Sequence, residues 1–227
     1  MPIAALAFDV PPYRLSGAVY GALLNHRTAL AALGQAVNEP PYKVPPRAPV
    51  LSVKPRNTLS FDGDAVPVPA DAPELEVGAN LGIVIGRGAC RLSEANALDC
   101  VAGFLILNDV SVPAASHFRP NVRNKARDGF CPLGPRVIAR ALVPDPDSLG
   151  IRVYVDGRLE AWANTSGLIR NVASLLIDVT DFMTLAPGDI LAAGAAAPAP
   201  RVRAGQEVRI EIDKLGSLTN RFVPVPG

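Results

Sequence analysis

A carboxylate at the exit of a buried strand constrains this chain more than any other feature. The run Gly78-Ala-Asn-Leu-Gly-Ile-Val-Ile-Gly86 puts Leu81, Ile83 and Ile85 on one side and stops at a glycine, the pattern of a buried strand. A second apolar run, Val101-Ala-Gly-Phe-Leu-Ile-Leu107, delivers the pair Asn108-Asp109 at its end. Burying a carboxylate there is expensive unless it meets a metal, a cation or backbone N–H groups. The fold must supply one of these.

Several function classes can be set aside. Lys plus Arg number 22 against 21 Asp plus Glu, so there is no electrostatic case for nucleic acid or a membrane surface. No apolar stretch approaches the ~20 residues that cross a bilayer. The first residues lack a basic region and soon meet Asp9, Pro11 and Pro12, which argues against a signal peptide. The three cysteines, Cys90, Cys100 and Cys131, form no C-x-x-C pair and read as reduced thiols of a cytoplasmic protein. The 23 prolines favour short strands and turns over long helices.

Residues 1–17 read as an extension, and 18–227 as one mixed α/β domain. Val19–Leu24 is an expected strand, with Asn25 opening a helix over His26–Val37. Residues 38–49 form a proline-rich connector. Val50–Leu59 is a strand running into a turn, and 93–100 carries the cap signature of a short helix. Residues 111–134 lack periodicity and are dense in Pro, Arg, Lys and Asn, as a long functional loop would be. Asp156-Gly157 signals a hairpin. Thr165 or Ser166 is expected to cap a helix to Phe182. Strands over 190–194, 202–212 (turning at Gly205-Gln206) and 218–223 follow.

The order Ile-Val-Ile-Gly-Arg-Gly-Ala, then Cys-Val-Ala-Gly-Phe-Leu-Ile-Leu-Asn-Asp-Val-Ser, then Arg-Asn-Lys-Ala-Arg-Asp-Gly-Phe-Cys-Pro-Leu-Gly-Pro resembles the fumarylacetoacetate hydrolase family over roughly residues 18–223. That resemblance implies a β-roll or sandwich with a few short helices, and activity on small oxo-acids. It also implies Mg²⁺ or Mn²⁺ held by a Glu-x-Glu on one strand and an Asp ending the next, with the cation stabilising an enolate. Asp109 matches the aspartate, but the glutamate positions fall on Gly78 and Asn80, so the implied metal site is incomplete. Glu74-Leu-Glu76 lies four residues early, ~13 Å along a strand, too far to replace them. The position of the family's water-activating histidine holds Ala29, and Pro113, Ala114 and Gly194-Ala195-Ala196 depart from the family pattern as well.

Other positions survive. Lys125 matches the family lysine that points at the substrate, so Lys125 and Asp109 are the candidate catalytic residues. Asn25, Lys54, Arg119 and Arg123 are candidates for binding a dicarboxylate or tricarboxylate. The competing reading of each cation is a solvated charge or a loop-ordering ion pair, and of Asp109 a cap on backbone N–H groups. His117 and the thiols receive no role. Within the family, Leu24-Asn-His-Arg27, Pro41-Tyr-Lys43, Lys54-Pro-Arg-Asn-Thr58 and Gly78-Ala79 resemble one type of unit. It is the N-terminal of two homologous units in the enzyme of 4-hydroxyphenylacetate degradation that decarboxylates 5-oxopent-3-ene-1,2,5-tricarboxylate and isomerises 2-hydroxyhepta-2,4-diene-1,7-dioate. The resemblance implies a homodimer or a heteromer with a Glu-x-Glu-bearing homologue. The alternative is a degenerate, non-catalytic partner of that homologue.

Overall fold

A computed structural model describes residues 6–8, 10–114, 116 and 121–225. Its strands in chain order are β1 (Ala7–Phe8), β2 (Val19–Leu23), β3 (Val50–Lys54), β4 (Leu59–Phe61), β5 (Ala65–Val68), β6 (Leu75–Glu76), β7 (Ala79–Ile85) and β8 (Val101–Asn108). There follow β9 (Cys131–Ala139), β10 (Gly150–Val155), β11 (Arg158–Asn164), β12 (Ile190–Ala192), β13 (Arg201–Val202), β14 (Glu207–Ile212) and β15 (Gly216–Pro224). The α-helices among the described residues are short: α1 (Arg27–Ala31), α2 (Val122–Lys125) and α3 (Val172–Phe182). This is the mixed, sheet-dominated architecture that the family resemblance implies. No helix among the described residues is long and apolar enough to cross a membrane.

The large sheet runs β1-β9-β8-β7-β12-β2-β3, with β4 pairing β9; a five-stranded sheet runs β11-β10-β14-β15-β5, and β13 pairs β6. β7 is buried at every position, as a strand covered on both faces must be. Leu81, Ile83 and Ile85 join Phe104 and Ile106 against Ile151, Val153, Val208, Ile210 and Phe222 of the smaller sheet. Val84, Leu105 and Leu107 face the other way, onto Leu133, Val137 and Ile190. Each such side chain contributes about 1.5–3 kcal/mol by burial. A Cβ at Gly82 would lie 2.5 Å from Leu105 Cδ1 across the ladder, so any larger residue there would force the Leu105 side chain to move.

The helices depart from the pattern read in the sequence. Instead of spanning His26–Val37, α1 stops at Ala31 and a 3-10 turn covers Gly34–Asn38. His26, not Asn25, is its cap, accepting from the Thr28 N–H. Only a 3-10 turn, Ala97–Cys100, forms in the 93–100 segment. The helix expected from Thr165 begins at Val172, capped by Asn171. Tertiary bonds claim the backbone before it: Ile169 N–H donates to the Asn25 carbonyl and Arg170 N–H to Asn25 Oδ1. The hairpin expected at Gly205-Gln206 is not formed by its two arms. Arg201–Val202 pairs with β6, which brings Leu75 and Val202 together in the core, while β14 pairs with β10 and β15. The Asp156-Gly157 hairpin forms, both residues having positive φ. β1, from the expected extension, adds to the large sheet beside β9.

Candidate functional site

The face of the large sheet that carries Val84, Leu105 and Leu107 becomes polar at the strand ends. Side chains alternate along a strand, so Asn80 continues the side that bears Val84, and Asp109 the side that bears Leu107. The ladder sets these positions opposite one another. Asn80 pairs with Leu107, Asp109 N–H donates to the Gly78 carbonyl, and Glu76 bridges to Ser111. Above them lies a cavity of about 370 Å³, lined by Glu76, Gly78, Asn80, Asp109, Ser111 and Lys125, and closed by α1 and residues 195–201.

Asp109 is buried and paired twice. Lys125 Nζ donates to Oδ2 at 2.7 Å, and Lys54 Nζ lies 2.9 Å from Oδ1. The Lys54 contact is an ion pair without a hydrogen bond, and the reason is geometric. All three Lys54 N–H groups are already spent on the carbonyls of Val110 (2.5 Å), Lys125 (2.8 Å) and Phe130 (2.8 Å). Oδ1 is therefore a buried oxygen with a cation beside it and no donor aimed at it. Burial alone would push the Asp109 carboxyl up, but the Lys125 and Lys54 charges outweigh it and hold it far below the usual carboxylate range. Burial pushes the Lys54 ammonium down, against the pull of Asp109.

The remaining candidates separate into cavity and scaffold. Lys125 reaches the cavity wall. Lys54 is 1% exposed and does not line the cavity; it ties the 110, 125 and 130 carbonyls together beneath Asp109. Asn25 is buried with its amide on the carbonyls of Arg170 and Ala193, so it holds chain segments together instead of facing the cavity. Arg123 points to solvent, 3.5 Å from Asp71. Arg119 and His117 lie outside the described residues. Ala29 lines the cavity where a family histidine is expected. His26 is turned away onto Thr28 and the Asn164 carbonyl, and burial lowers its pKa. Burial pushes the Cys131 thiol up to about 12, which leaves it unreactive.

Two charged cavity residues were not selected from the sequence. Arg201 lines it from β13, paired with Glu74 at 3.1 Å. Glu76 lines it from β6. The signal for Glu76 was strand alternation: it shares its parity with Gly78 and Asn80.

A profile described as fumarylacetoacetate (FAA) hydrolase C-terminal matches residues 18–223. The chain belongs to the fumarylacetoacetate hydrolase family. It is 35% identical over 209 residues to the 4-hydroxyphenylacetate degradation bifunctional isomerase/decarboxylase of Escherichia coli, covering 92% of this chain and 48% of that protein. The corresponding protein of Salmonella dublin is 37% identical over the same shares. The chain thus spans about half the length of these curated relatives. Among solved structures, 5-carboxymethyl-2-hydroxymuconate delta-isomerase from Mycobacterium smegmatis superposes with a TM-score of 0.79 at 28% identity, over 94% of this chain and 81% of that one. A maleylpyruvate hydrolase from Sphingobium, in complex with manganese and pyruvate, gives 0.76 at 27% identity, over 92% and 71%.

The family's divalent cation does not fit the residues present. Both Asp109 oxygens face ammonium groups. Asn80 Oδ1 accepts the Gly194 N–H at 2.8 Å. A Cβ at Gly78 would sit 2.6 Å from the Asp109 carbonyl oxygen, so this backbone leaves no room for a side chain there. No cluster of three His, Cys, Asp or Glu suited to a metal occurs among the described residues. Hard oxygen-seeking cations want several free oxygens, and this floor offers ammonium groups instead.

Proposed function

We propose that this chain is a decarboxylase and isomerase unit for small oxo-dicarboxylates and oxo-tricarboxylates, in which a lysine takes the part the family gives to a metal. The observation that carries this reading is the Lys54–Asp109–Lys125 cluster: two cations share one buried carboxylate, and the Lys125 end of the cluster reaches the cavity. Loss of CO₂ from a carbon joined to a carbonyl through a double bond sends the bonding electrons onto the carbonyl oxygen as a dienolate, and loss of the enol proton of the hydroxydiene gives the same anion. Lys125 spends one N–H on Asp109, which leaves two of its three donors for that oxygen or for a substrate carboxylate. Because Asp109 fixes the ammonium before substrate arrives, little reorganisation opposes the stabilisation.

The family relatives named for isomerase/decarboxylase activity in 4-hydroxyphenylacetate degradation support 5-oxopent-3-ene-1,2,5-tricarboxylate and 2-hydroxyhepta-2,4-diene-1,7-dioate as substrates. On this reading the protein is cytoplasmic and forms a homodimer, or a heteromer with a Glu-x-Glu-bearing homologue. A second reading, a non-catalytic partner of that homologue, is favoured by Gly78 and Asn80 standing at the two glutamate positions. The test is decay of the tricarboxylate's ultraviolet absorbance with the purified chain, first with Mg²⁺ and then with EDTA. Turnover that survives EDTA supports the lysine site, and turnover abolished by EDTA refutes it. Turnover only after the homologue is added supports the second reading.

A further inference from the structure

We propose that Glu76 is the residue that carries the proton in this cavity, delivering it to a carbon of the 2-hydroxydiene during isomerisation. The inference rests on the cavity being the reacting site, as proposed above. Asp109, clamped by two ammonium groups, is a poor proton carrier at neutral pH. Lys125 serves as the electrophile, and the other polar groups at the wall among the described residues are the neutral Asn80, Ser111 and Asn121 and the guanidinium of Arg201, which keeps its protons. Ala29 offers no base and His26 faces elsewhere.

Glu76 is placed differently. The antiparallel bridge sets it opposite Ser111, one pleat repeat along from the Gly78–Asp109 pair. That repeat is ~7 Å, which puts its carboxyl within a small oxo-acid's length of the Lys125–Asp109 pair. Its side chain is 29% exposed, and its charged neighbour Arg201 stands with Nη2 3.7 Å from Oε1, beyond hydrogen-bond length. Arg201 makes its closer contact, 3.1 Å, with Glu74. The groups facing Glu76 are therefore Arg201 from β13, Lys125 from α2 and Glu74 from its own segment. Burial raises its pKa above the usual carboxylate value, with Arg201 and Lys125 opposing and Glu74 adding to the rise. A carboxyl poised in this way fits general acid–base work.

The step balances without a co-reactant. After CO₂ leaves, the dienolate oxygen takes a proton from water to give the 2-hydroxydiene, and Glu76 is not called on. In isomerisation the enol O–H bond breaks and its electrons form the carbonyl as the double bonds shift, while the Glu76 O–H bond breaks as a C–H bond forms on a diene carbon and Glu76 regains a proton from water.

The experiment compares the wild-type chain with Glu76→Gln and Glu76→Asp in D₂O. CO₂ release from the tricarboxylate and rearrangement of the dienedioate are followed separately, and deuterium in the products is read by NMR. For Glu76→Gln we expect rearrangement to fall about 10²–10⁴-fold, with CO₂ release and calorimetric substrate affinity changed only a few-fold. Glu76→Asp should restore part of the rate and shift the pH–rate limb, which a structural role would not do. Wild-type rearrangement with an unaltered Glu76→Gln rate overturns the assignment alone. A wild-type chain that neither releases CO₂ nor rearranges substrate, with or without its homologue, overturns the reading of the cavity and this assignment with it.

Discussion

Replacing Lys54 with methionine tests the central cluster without touching the cavity wall. The substitution keeps much of the side chain's volume and removes its charge and all three donors. The carbonyls of Val110, Lys125 and Phe130 then lose their donor, and Asp109 loses the cation 2.9 Å from Oδ1. An unsatisfied buried acceptor costs roughly 1–3 kcal/mol, so three together reach about 3–9 kcal/mol. Against this, the protein no longer buries an ammonium, a relief of several kcal/mol. The net falls near the ~3–5 kcal/mol measured when one partner of a buried pair is removed. That is a large fraction of the ~5–15 kcal/mol that holds a domain together. With a urea slope of about 2–3 kcal/mol per M, the midpoint should drop by about 1–2.5 M. Far-UV circular dichroism is the right probe, because the single tryptophan, Trp162, is 65% exposed and reports the core poorly. Pairing the change with Asp109→Asn should give a combined loss smaller than the sum of the two. A midpoint shift under ~0.3 M would refute the argument that Lys54 holds the site together.

Lys125→Met should lower decarboxylation about 10²-fold or more, since it removes the donors aimed at the developing oxyanion; an unchanged rate under saturating substrate would point to another electrophile. Gly78→Ala should cost about 1–3 kcal/mol in urea unfolding, because its Cβ meets the Asp109 carbonyl at 2.6 Å. For the same reason Gly78→Glu with Asn80→Glu, which on sequence alignment alone ought to rebuild a metal site, should unfold earlier and show no new Mg²⁺ binding by calorimetry. The Asp109 pKa is depressed in the folded state, so its stabilisation is complete above the unfolded value of ~3.9 and fades as pH falls below it. Acid titration followed by circular dichroism should show this loss in the wild type and a flatter curve in Asp109→Asn.

Much of the architecture was legible because it follows from local pattern. The β7 and β8 runs alternate apolar side chains or fill every position with them, and glycine or Asn-Asp ends them. The Asp156-Gly157 turn was equally plain, since its backbone needs positive φ at both residues. The helices were less legible. His26–Val37 and 165–182 carry helical spacing, yet the first passes into a 3-10 turn after Ala31, and bonds to Asn25 took the 169 and 170 N–H groups ahead of the second.

For the site, the sequence by itself determined the carboxylate at the end of β8, the loss of the two glutamates and the lysine at 125. These are matters of residue identity and strand period, which no packing can alter. Tertiary structure decided what those residues do. It sent Lys54 beneath Asp109 with every proton engaged, turned Asn25 into a tie between segments and left Arg123 in solvent. It also set Glu76 on the cavity wall, because the β6–β13 pairing brought Arg201 beside it from 125 positions further along the chain. Contacts between residues so far apart depend on how the sheets are joined. A one-dimensional pattern has no term for that.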